Sequence, residues 1–547
     1  MLRGSGAEDG LKNMLKKILK QLALKKLLKK KNKQEQPLGQ GQELSRDFEK
    51  NVELFKKILG KNRDFVQYEF VFGTHEKIRA ALFYFEGLVY REYINEFILK
   101  PLMFQSHHFS SGELRRGKSI AHLRERLISI GGTEVVSKVD DILNNCLCGD
   151  TILLVDGYAE ALALNTKGWK TRGVEEPKTE ALVRGAREGF TESIGINMAL
   201  LRRRIRHFEF TIEEMQIGAK TRTKVCIAYL KGVVNTGVLE EVRKRLGRIK
   251  TDAILESGYL EQFIEDAPFS IFPTVANSER PDTVAAKVLE GRVAIITDGT
   301  PMVLTVPALF ASSFQSPEDY YSRPYYASLI RWIRYICFFI TVSAPAVYVA
   351  LTTYHQELIP TPLLITMAAA SEGTPFPALV EVLLMGVIFE ILREAGIRLP
   401  RPIGTTISIV GALVIGESAV SAGLIGAHMV IVVSLTAISS FVIPAQTDAA
   451  TILRFILIFA AGFMGAFGIF IVFLGLLVHL SSLRSFGVPY FAPFAPVNLP
   501  ALQDTMVRVP FWMQLTRPKM LSRNRQRTEP GLMPGPEQKP SQQKQSN

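Results

Sequence analysis

The run "ILRFILIFAAGFMGAFGIFIVFLGLLVHL", residues 452–480, carries one arginine and one histidine in an otherwise uncharged stretch. About 20 apolar residues are enough to cross a bilayer, so this run reads as a membrane span. Residues 331–354 read as another, with Trp332 and Tyr335 at one edge and Tyr354 at the other as interfacial aromatics. Residues 424–445 are as apolar, while 376–395 are interrupted by Glu381 and Glu390. Between Leu329 and Leu480 stand seven acids, six arginines and no lysine, too little charge for a water-facing domain. Two shorter apolar pieces, 358–370 and 405–422, contain or adjoin Pro, Gly, Ser and Thr, as re-entrant or broken segments do.

Working outward, residues 44–314 return to soluble patterning. Helices are expected at 48–59, 91–104, 190–205, 238–246 and 282–289, and strands in "RDFVQYEFVFG", "IRAALFYFEGLV", "TILLVDG", "EALALNT", 208–217, 224–229 and 293–297. This mixture predicts an α/β domain of two subdomains. The stretch "NSERPDTVAAKVLEGRVAIITDGTP", residues 277–301, resembles enzyme sequence at first. Ser278 or Asp282 can cap a helix with Pro281 in its first turn, Gly291 ends that helix, and Asp298-Gly299 is a tight turn between strands. A phosphate loop needs converging glycines at a helix start after a strand; here Gly291 follows a helix and precedes a strand. Metal binding by Asp282 and Asp298 would need further ligands, and no histidine stands between His207 and His355. The Cys146-Leu147-Cys148 spacing fits neither a zinc knuckle nor a redox pair, and Cys226 and Cys337 are isolated. With no Ser-His-Asp pattern either, the expectation is a non-enzyme without cofactor or metal, in which Arg280, Asp282 and Asp298 belong to a junction before the first span.

Two basic stretches remain. "LKNMLKKILKQLALKKLLKKKNK", residues 11–33, holds ten lysines and no acid around a helical apolar stripe. Lys12, Lys16, Lys17, Lys20, Lys25 and Lys26 are candidate contacts to anionic membrane lipids; a partner-docking helix or a nucleic-acid tail has the same pattern, with lipid preferred and nucleic acid not expected. In "LLRRRIRH", residues 200–207, Arg202, Arg203, Arg204 and Arg206 can meet headgroups, a partner's acids, or Glu175, Glu176 and Glu180.

Charge sets the topology. No cleavable export signal precedes the α/β part, so Arg331 and Arg334 lie on the inner side, Arg393, Arg398 and Arg401 mark an inner loop, and the basic tail from Arg517 is inner too. The number of crossings is then even. The simplest solution is four, and the expected bundle has about four to six segments. Glu390 can pair with Arg393 one turn on, whereas Glu381 and Glu417 have no nearby basic partner and are candidate pore or polar-cavity residues. Asp448 is expected in a loop before Arg454. The resulting domains are 1–42 (basic helix and polar linker), 43–170 and 171–315 (cytoplasmic α/β subdomains), 316–480 (helical transmembrane domain) and 481–547 (cytoplasmic tail).

"EEPKTEALVRGAREGFTESIGINMALLRRRIR", the 277–301 stretch, "RPIGTTISIVGALVIGESAVSAGL" and "LRSFGVPYFAPFAP" together resemble the A subunit of GerA-type spore germinant receptors of Bacillus and Clostridium relatives. The resemblance spans about residues 48–518 and implies a multi-pass protein of the spore inner membrane with both termini on the core side. It further implies a transporter-like B subunit and a lipoprotein C subunit as partners, and assembly of the A subunit, as a pentamer, into a nutrient-gated ion channel. The paralogue encoded with the dipicolinate-channel proteins shares these motifs and implies an accessory channel instead. A non-conducting signalling scaffold and a secondary transporter subunit stand as rival readings. The family commonly has Gln where this chain has Glu417, and an ionised Glu417 lining the path would favour cations.

Overall fold

Side-chain periodicity alone builds most of the first unit. The computed structural model describes residues 41–73, 77–104, 120, 128, 130–168, 176–177, 180, 182–398, 414–518, 520–524 and 526–528. The chain divides into two compact units, residues 1–170 with Arg206–Phe208, and the remainder. In the first unit, α1 (Phe48–Leu59) starts at Asp47, whose carboxylate accepts from the Lys50 amide. Strands β1 (Phe65–Phe72) and β2 (Ile78–Phe85) form an antiparallel hairpin from Phe65↔Phe85 to Phe72↔Ile78. The helical run 91–104 (α2), β3 (Thr133–Val136), α3 (Val139–Leu147), β4 (Thr151–Val155) and β5 (Ala161–Leu164) follow. The sheet order is β1-β2-β4-β5-β3. Leu82, Leu153, Leu162 and Leu164 pack on Ile94, Ile98 and Leu102 of α2.

The second unit opens by repeating this plan. Helix α4 (Ile194–Arg204), β6 (Phe210–Ile217), β7 (Thr223–Leu230), α5 (Thr236–Arg248), α6 (Ser257–Ile264), β8 (Ala276–Ser278), α7 (Pro281–Leu289), β9 (Val293–Thr297) and β10 (Val303–Val306) make a sheet ordered β6-β7-β9-β10-β8. Strand for strand the two orders are the same, and so are the registers. Val155 faces Ala80 as Thr297 faces Val225, and Thr151 faces Leu164 as Val293 faces Val306. The central strand of each sheet, β4 or β9, starts two residues after a left-handed glycine (Gly149, φ 95°; Gly291, φ 101°) and ends in an Asp-Gly turn (Gly157, φ 88°; Gly299, φ 90°). Asp156 N–H donates to Arg79 O at 2.9 Å as Asp298 N–H does to Lys224 O at 3.0 Å. The domain is one fold used twice.

One position differs. In the first copy the chain just after β5 closes the fold: Val89 bridges Lys167, and Gly168 N–H donates to Leu88 O at 3.0 Å. In the second copy the chain after β10 leaves for the apolar helices, and the matching slot is filled by Ser522, bridged to Val234, with Arg523 N–H donating to Val233 O at 3.0 Å. Residues 483–528, expected as a tail, are thus packed on the second copy. Ser485 Oγ takes the Ala308 amide at 2.9 Å and donates to Thr274 O at 2.6 Å, and Phe486, Val488 and Leu521 complete the core against α5 and α6.

After a short helix α8 (Glu318–Tyr321), the apolar helices are α9 (Pro324–Thr353), α10 (Thr361–Ser371), α11 (Ala378–Arg398), α12 (Ala427–Phe441) and α13 (Thr447–Ser482). Two stretches, Pro324–Thr353 and Pro444–Ser482, are long and apolar enough to cross a membrane. The stretch expected as a single span at 452–480 is folded back at Gly465 (φ 59°, ψ −143°). A Cβ built on Gly468 would overlap Ala460 O, whereas residues eight apart on a straight helix are about 12 Å apart. The limbs 447–464 and 466–482 therefore run side by side in opposite directions. Only glycine holds this apex, because a Cβ at Gly465 would also meet Tyr354 Cβ at 3.0 Å. Asp448, expected in a loop, stands in the first turn of α13.

Candidate functional site

Of the residues singled out in the 277–301 stretch, Arg280 and Asp282 meet α8, just before the apolar bundle, whereas Asp298 meets the start of α4. Arg280, 1% exposed, starts α7 and forks onto the Asp282 carboxylate, Nε to Oδ1 at 3.1 Å and Nη2 to Oδ2 at 2.8 Å. Its remaining donors hold the incoming strap, Nη1 on Glu180 O at 3.1 Å and Nη2 on Ala186 O at 2.7 Å. Asp282 Oδ2 also accepts from Tyr321 Oη of α8 at 2.8 Å. Burial, then the bond to Asp282, pushes the Tyr321 phenol up to about 12, so it remains a donor. From the other side Glu318 Oε1 accepts the amides of Val183, at 2.5 Å, and Arg184, at 3.3 Å. Asp298 is more than a turn residue: its Oδ1 accepts from Ile194 N–H at 3.1 Å and so caps α4, whose own N-cap Ser193 makes no side-chain bond. Gly299 N–H donates to Glu192 O at 2.8 Å. The expected capping roles of Ser278 and Asp282 are shared differently, since Ser278 Oγ takes the Arg280 amide at 3.1 Å and donates to Glu180 at 2.6 Å.

Sequence reasoning missed the tightest part of this junction. Arg331 in α9 is fully buried and bonds Asp319 Oδ2 at 2.8 Å; Arg334 reaches the same carboxylate at 2.9 Å. Arg331 Nη1 also lies 3.3 Å from Asp504 Oδ1 and donates to the Asp504 carbonyl. Burial pushes the Asp504 carboxyl up, against the pull of Arg331. Asp504 is 173 residues from Arg331, and Asp319, 12 residues before it, stands in a separate helix, so neither pairing has a helical spacing to signal it.

The arginine cluster at 202–206 also resolves differently. Arg203 and Arg204 clasp Glu188 at 3.2 and 2.9 Å. Arg202 is buried, donating to Phe210 O at 3.3 Å with its guanidinium 5.1 Å from the Phe210 ring centre.

Within the bundle Glu390 lies 2.6 Å from Arg393 and takes a second ion pair from Arg454 of α13. Arg393 bonds Thr451 Oγ1 at 3.3 Å. Glu381 is buried beside the start of α12, its Oε2 4.0 Å from where a Gly426 Cβ would lie, with no ion-pair partner among the described residues. Glu417 is exposed. Lys12, Lys16, Lys17, Lys20, Lys25 and Lys26 lie outside the described residues. Among the described residues no group of His, Cys, Asp and Glu could hold a metal. These contacts link α7, Glu180 and residues 182–186, α8, α9 and Asp504 in one series of hydrogen bonds and ion pairs.

Fold and junction define a chain in which a duplicated α/β domain is welded through its second copy to an apolar helical bundle. Residues 53–520 match the family described as "Bacillus/Clostridium GerA spore germination protein". The chain is 45% identical to "Spore germination protein KA" of Bacillus subtilis (strain 168) over 88% of both chains. It is 43% identical to the "Uncharacterized membrane protein YfkQ" of the same organism, covering 88% of this chain and 93% of that one. It is 38% identical to "Spore germination protein GerLA" of Bacillus cereus, over 81% and 89%. A crystal structure of the N-terminal domain of the A subunit of the Bacillus megaterium germinant receptor GerK3 aligns over 49% of this chain and 98% of that one, at 35% identity and a TM-score of 0.39. The chain belongs to the GerA spore germination protein family.

Proposed function

We propose that this chain is the A subunit of a spore germinant receptor in the spore inner membrane. It assembles with further copies, a transporter-like B subunit and a lipoprotein C subunit into a nutrient-gated ion channel. The observation that carries the membrane part is the outward surface of the bundle. Ile431 66%, Ile438 66%, Phe463 73%, Phe467 62%, Phe470 62% and Val478 65% are exposed, apolar surface that water would penalise and lipid or a neighbouring subunit would not. Each limb of α13 is about 26 Å long at 1.5 Å per residue, close to the hydrocarbon thickness of about 30 Å.

Among the described residues, helix contacts support five crossings, by α9, α11, α12 and the two limbs of α13. Gln446 bonds Ser313 at 2.8 Å and Ser485 bonds Ala308, so the base of α13 and the chain after it sit at the α/β side. Tyr354, at the far end of α9, bonds Gly462 O and Phe463 O at the hairpin apex. Helix α11 descends, since Leu379 meets Gly462 and Arg393 meets Thr451. Helix α12 descends with it, its start lying beside Glu381 of α11 and its end leading to Gln446. The start of α9 and the end of α13 thus both lie on the core side.

Receptor and channel function rests on family membership together with this anchorage. Reconstituting the chain with its B and C partners in vesicles and recording potassium flux as candidate nutrients are added tests it. Nutrient-dependent flux, lost when this chain is omitted, is expected; assembled complexes that bind nutrient but pass no ions would assign conduction elsewhere.

A further inference from the structure

The turn between α6 and β8 lies against the base of the bundle. Ala267 and Ile271 pack on the same cluster as Phe338 and Leu480, and Phe272 is buried in it. Ser270 Oγ is 2.9 Å from His479 Nε2, and the Phe272 ring is 6.3 Å from the His479 ring. Ser270 N–H donates to Ala267 O at 2.9 Å, closing a tight turn with Pro268 and Phe269 at its tip. Pro268 fits the second position of such a turn. Phe269 is 101% exposed, an unusual placement for a large aromatic. His479 follows Leu477 and Val478, which are 52% and 65% exposed on the outward face of α13.

We propose that this turn is an interfacial lipid anchor, which inserts Phe269 into the headgroup boundary of the leaflet nearest the α/β domain. The proposal rests on the membrane placement of the bundle. The chain around the tip is fastened on both sides, through Ala267, Ser270 and Ile271, to the end of a helix whose neighbouring residues face lipid. The tip therefore sits at the edge of the hydrocarbon layer, where aromatic rings are favoured. The chain leading into it carries Glu261 and Glu265, and Asp266 there is paired with Arg245 at 2.7 Å. Attachment is thus by apolar insertion, and unlike a basic surface helix it needs no anionic headgroups. The fixed turn lets the second α/β copy take its position from the membrane surface as well as from the base of α9.

The test is fluorescence quenching on the full chain, with Trp169, Trp332 and Trp512 changed to Phe and Phe269→Trp introduced. The protein is reconstituted in vesicles of brominated phosphatidylcholine. Two controls retain Trp332 alone or carry Phe467→Trp in the same background. Strong quenching at position 269, unchanged when phosphatidylglycerol replaces the unbrominated lipid fraction, is expected. An unquenched position 269 beside a quenched control would overturn the anchor and leave the membrane placement standing, with a second copy of the chain as the occupant of the tip if its emission is blue-shifted. Absence of quenching at all three positions would overturn both.

Discussion

The two α/β copies share strand order, register and turn glycines, yet only the first is complete in local sequence. The first closes its edge with Lys167 and Gly168, a few residues after its last strand. The second leaves the same place open, sends the chain through the whole apolar bundle, and closes with Ser522 and Arg523. A duplicated domain has thus been turned into a clamp. The copy that is finished by its own chain is a separate unit, while the copy finished by a distant segment grips both ends of the bundle.

The largest effect should come from breaking the grip. Asp319→Ala leaves Arg331 buried without its closest carboxylate, and removal of one partner of a buried pair costs about 3–5 kcal/mol. Limited proteolysis in detergent should then degrade the second unit while a fragment of the first persists; simultaneous loss of both units would show that the copies are not independent. Gly468→Val comes next. Its Cβ would overlap Ala460 O, forcing the α13 limbs apart at about 1–3 kcal/mol by analogy with overpacked cores. A lowered melting temperature with intact α/β proteolytic fragments is the expected result.

The matched turns give a smaller and sharper comparison. Asp298→Ala removes the cap on α4 and should cost about 1 kcal/mol. Asp156→Ala, at the equivalent turn, leaves the start of α1 capped by Asp47, and its melting shift should be clearly smaller. Equal shifts would mean that the capping bond contributes nothing. Melting temperature also depends on pH through Glu261 of the second copy. Burial, with Glu265 and Glu256 nearby, pushes Glu261 from 4.5 up to about 7. Its folded-state value lies above the unfolded one, so the folded form holds the proton longer. The contribution of Glu261 to stability is therefore fully present below about 4.5 and is lost as the pH rises through about 7. Glu261→Gln should flatten that decline in melting temperature; an unchanged slope would mean that Glu261 titrates normally.

Much of this was legible in sequence because it is local. The expected helix at 48–59 is α1, the strand at 293–297 is β9, and Gly291 and Asp298-Gly299 punctuate the chain as turn chemistry requires. The duplication was visible only as two apolar strands ending in Asp-Gly, "TILLVDG" and "VAIITDG", because side chains elsewhere diverged while backbone positions persisted. The hairpin at Gly465 was hidden, since Gly462, Gly465, Gly468 and Gly475 look alike and only the packing of Tyr354 and Ala460 selects where the chain turns back. Arg331 could be placed at an inner boundary by charge, but its partners Asp319 and Asp504 come from both sides of the bundle and carry no spacing signal.

The clamp is tested most directly by disulfide trapping. In a background with Cys146, Cys148, Cys226 and Cys337 replaced, Val234→Cys with Ser522→Cys should cross-link on oxidation in native membranes. It should do so as readily as Val89→Cys with Lys167→Cys in the first copy, because paired strand residues lie about 4.5–5.5 Å apart. Cross-linking of the first-copy pair alone, or labelling of position 522 from the opposite side of the membrane to position 234, would contradict a bundle held at both ends by one α/β copy.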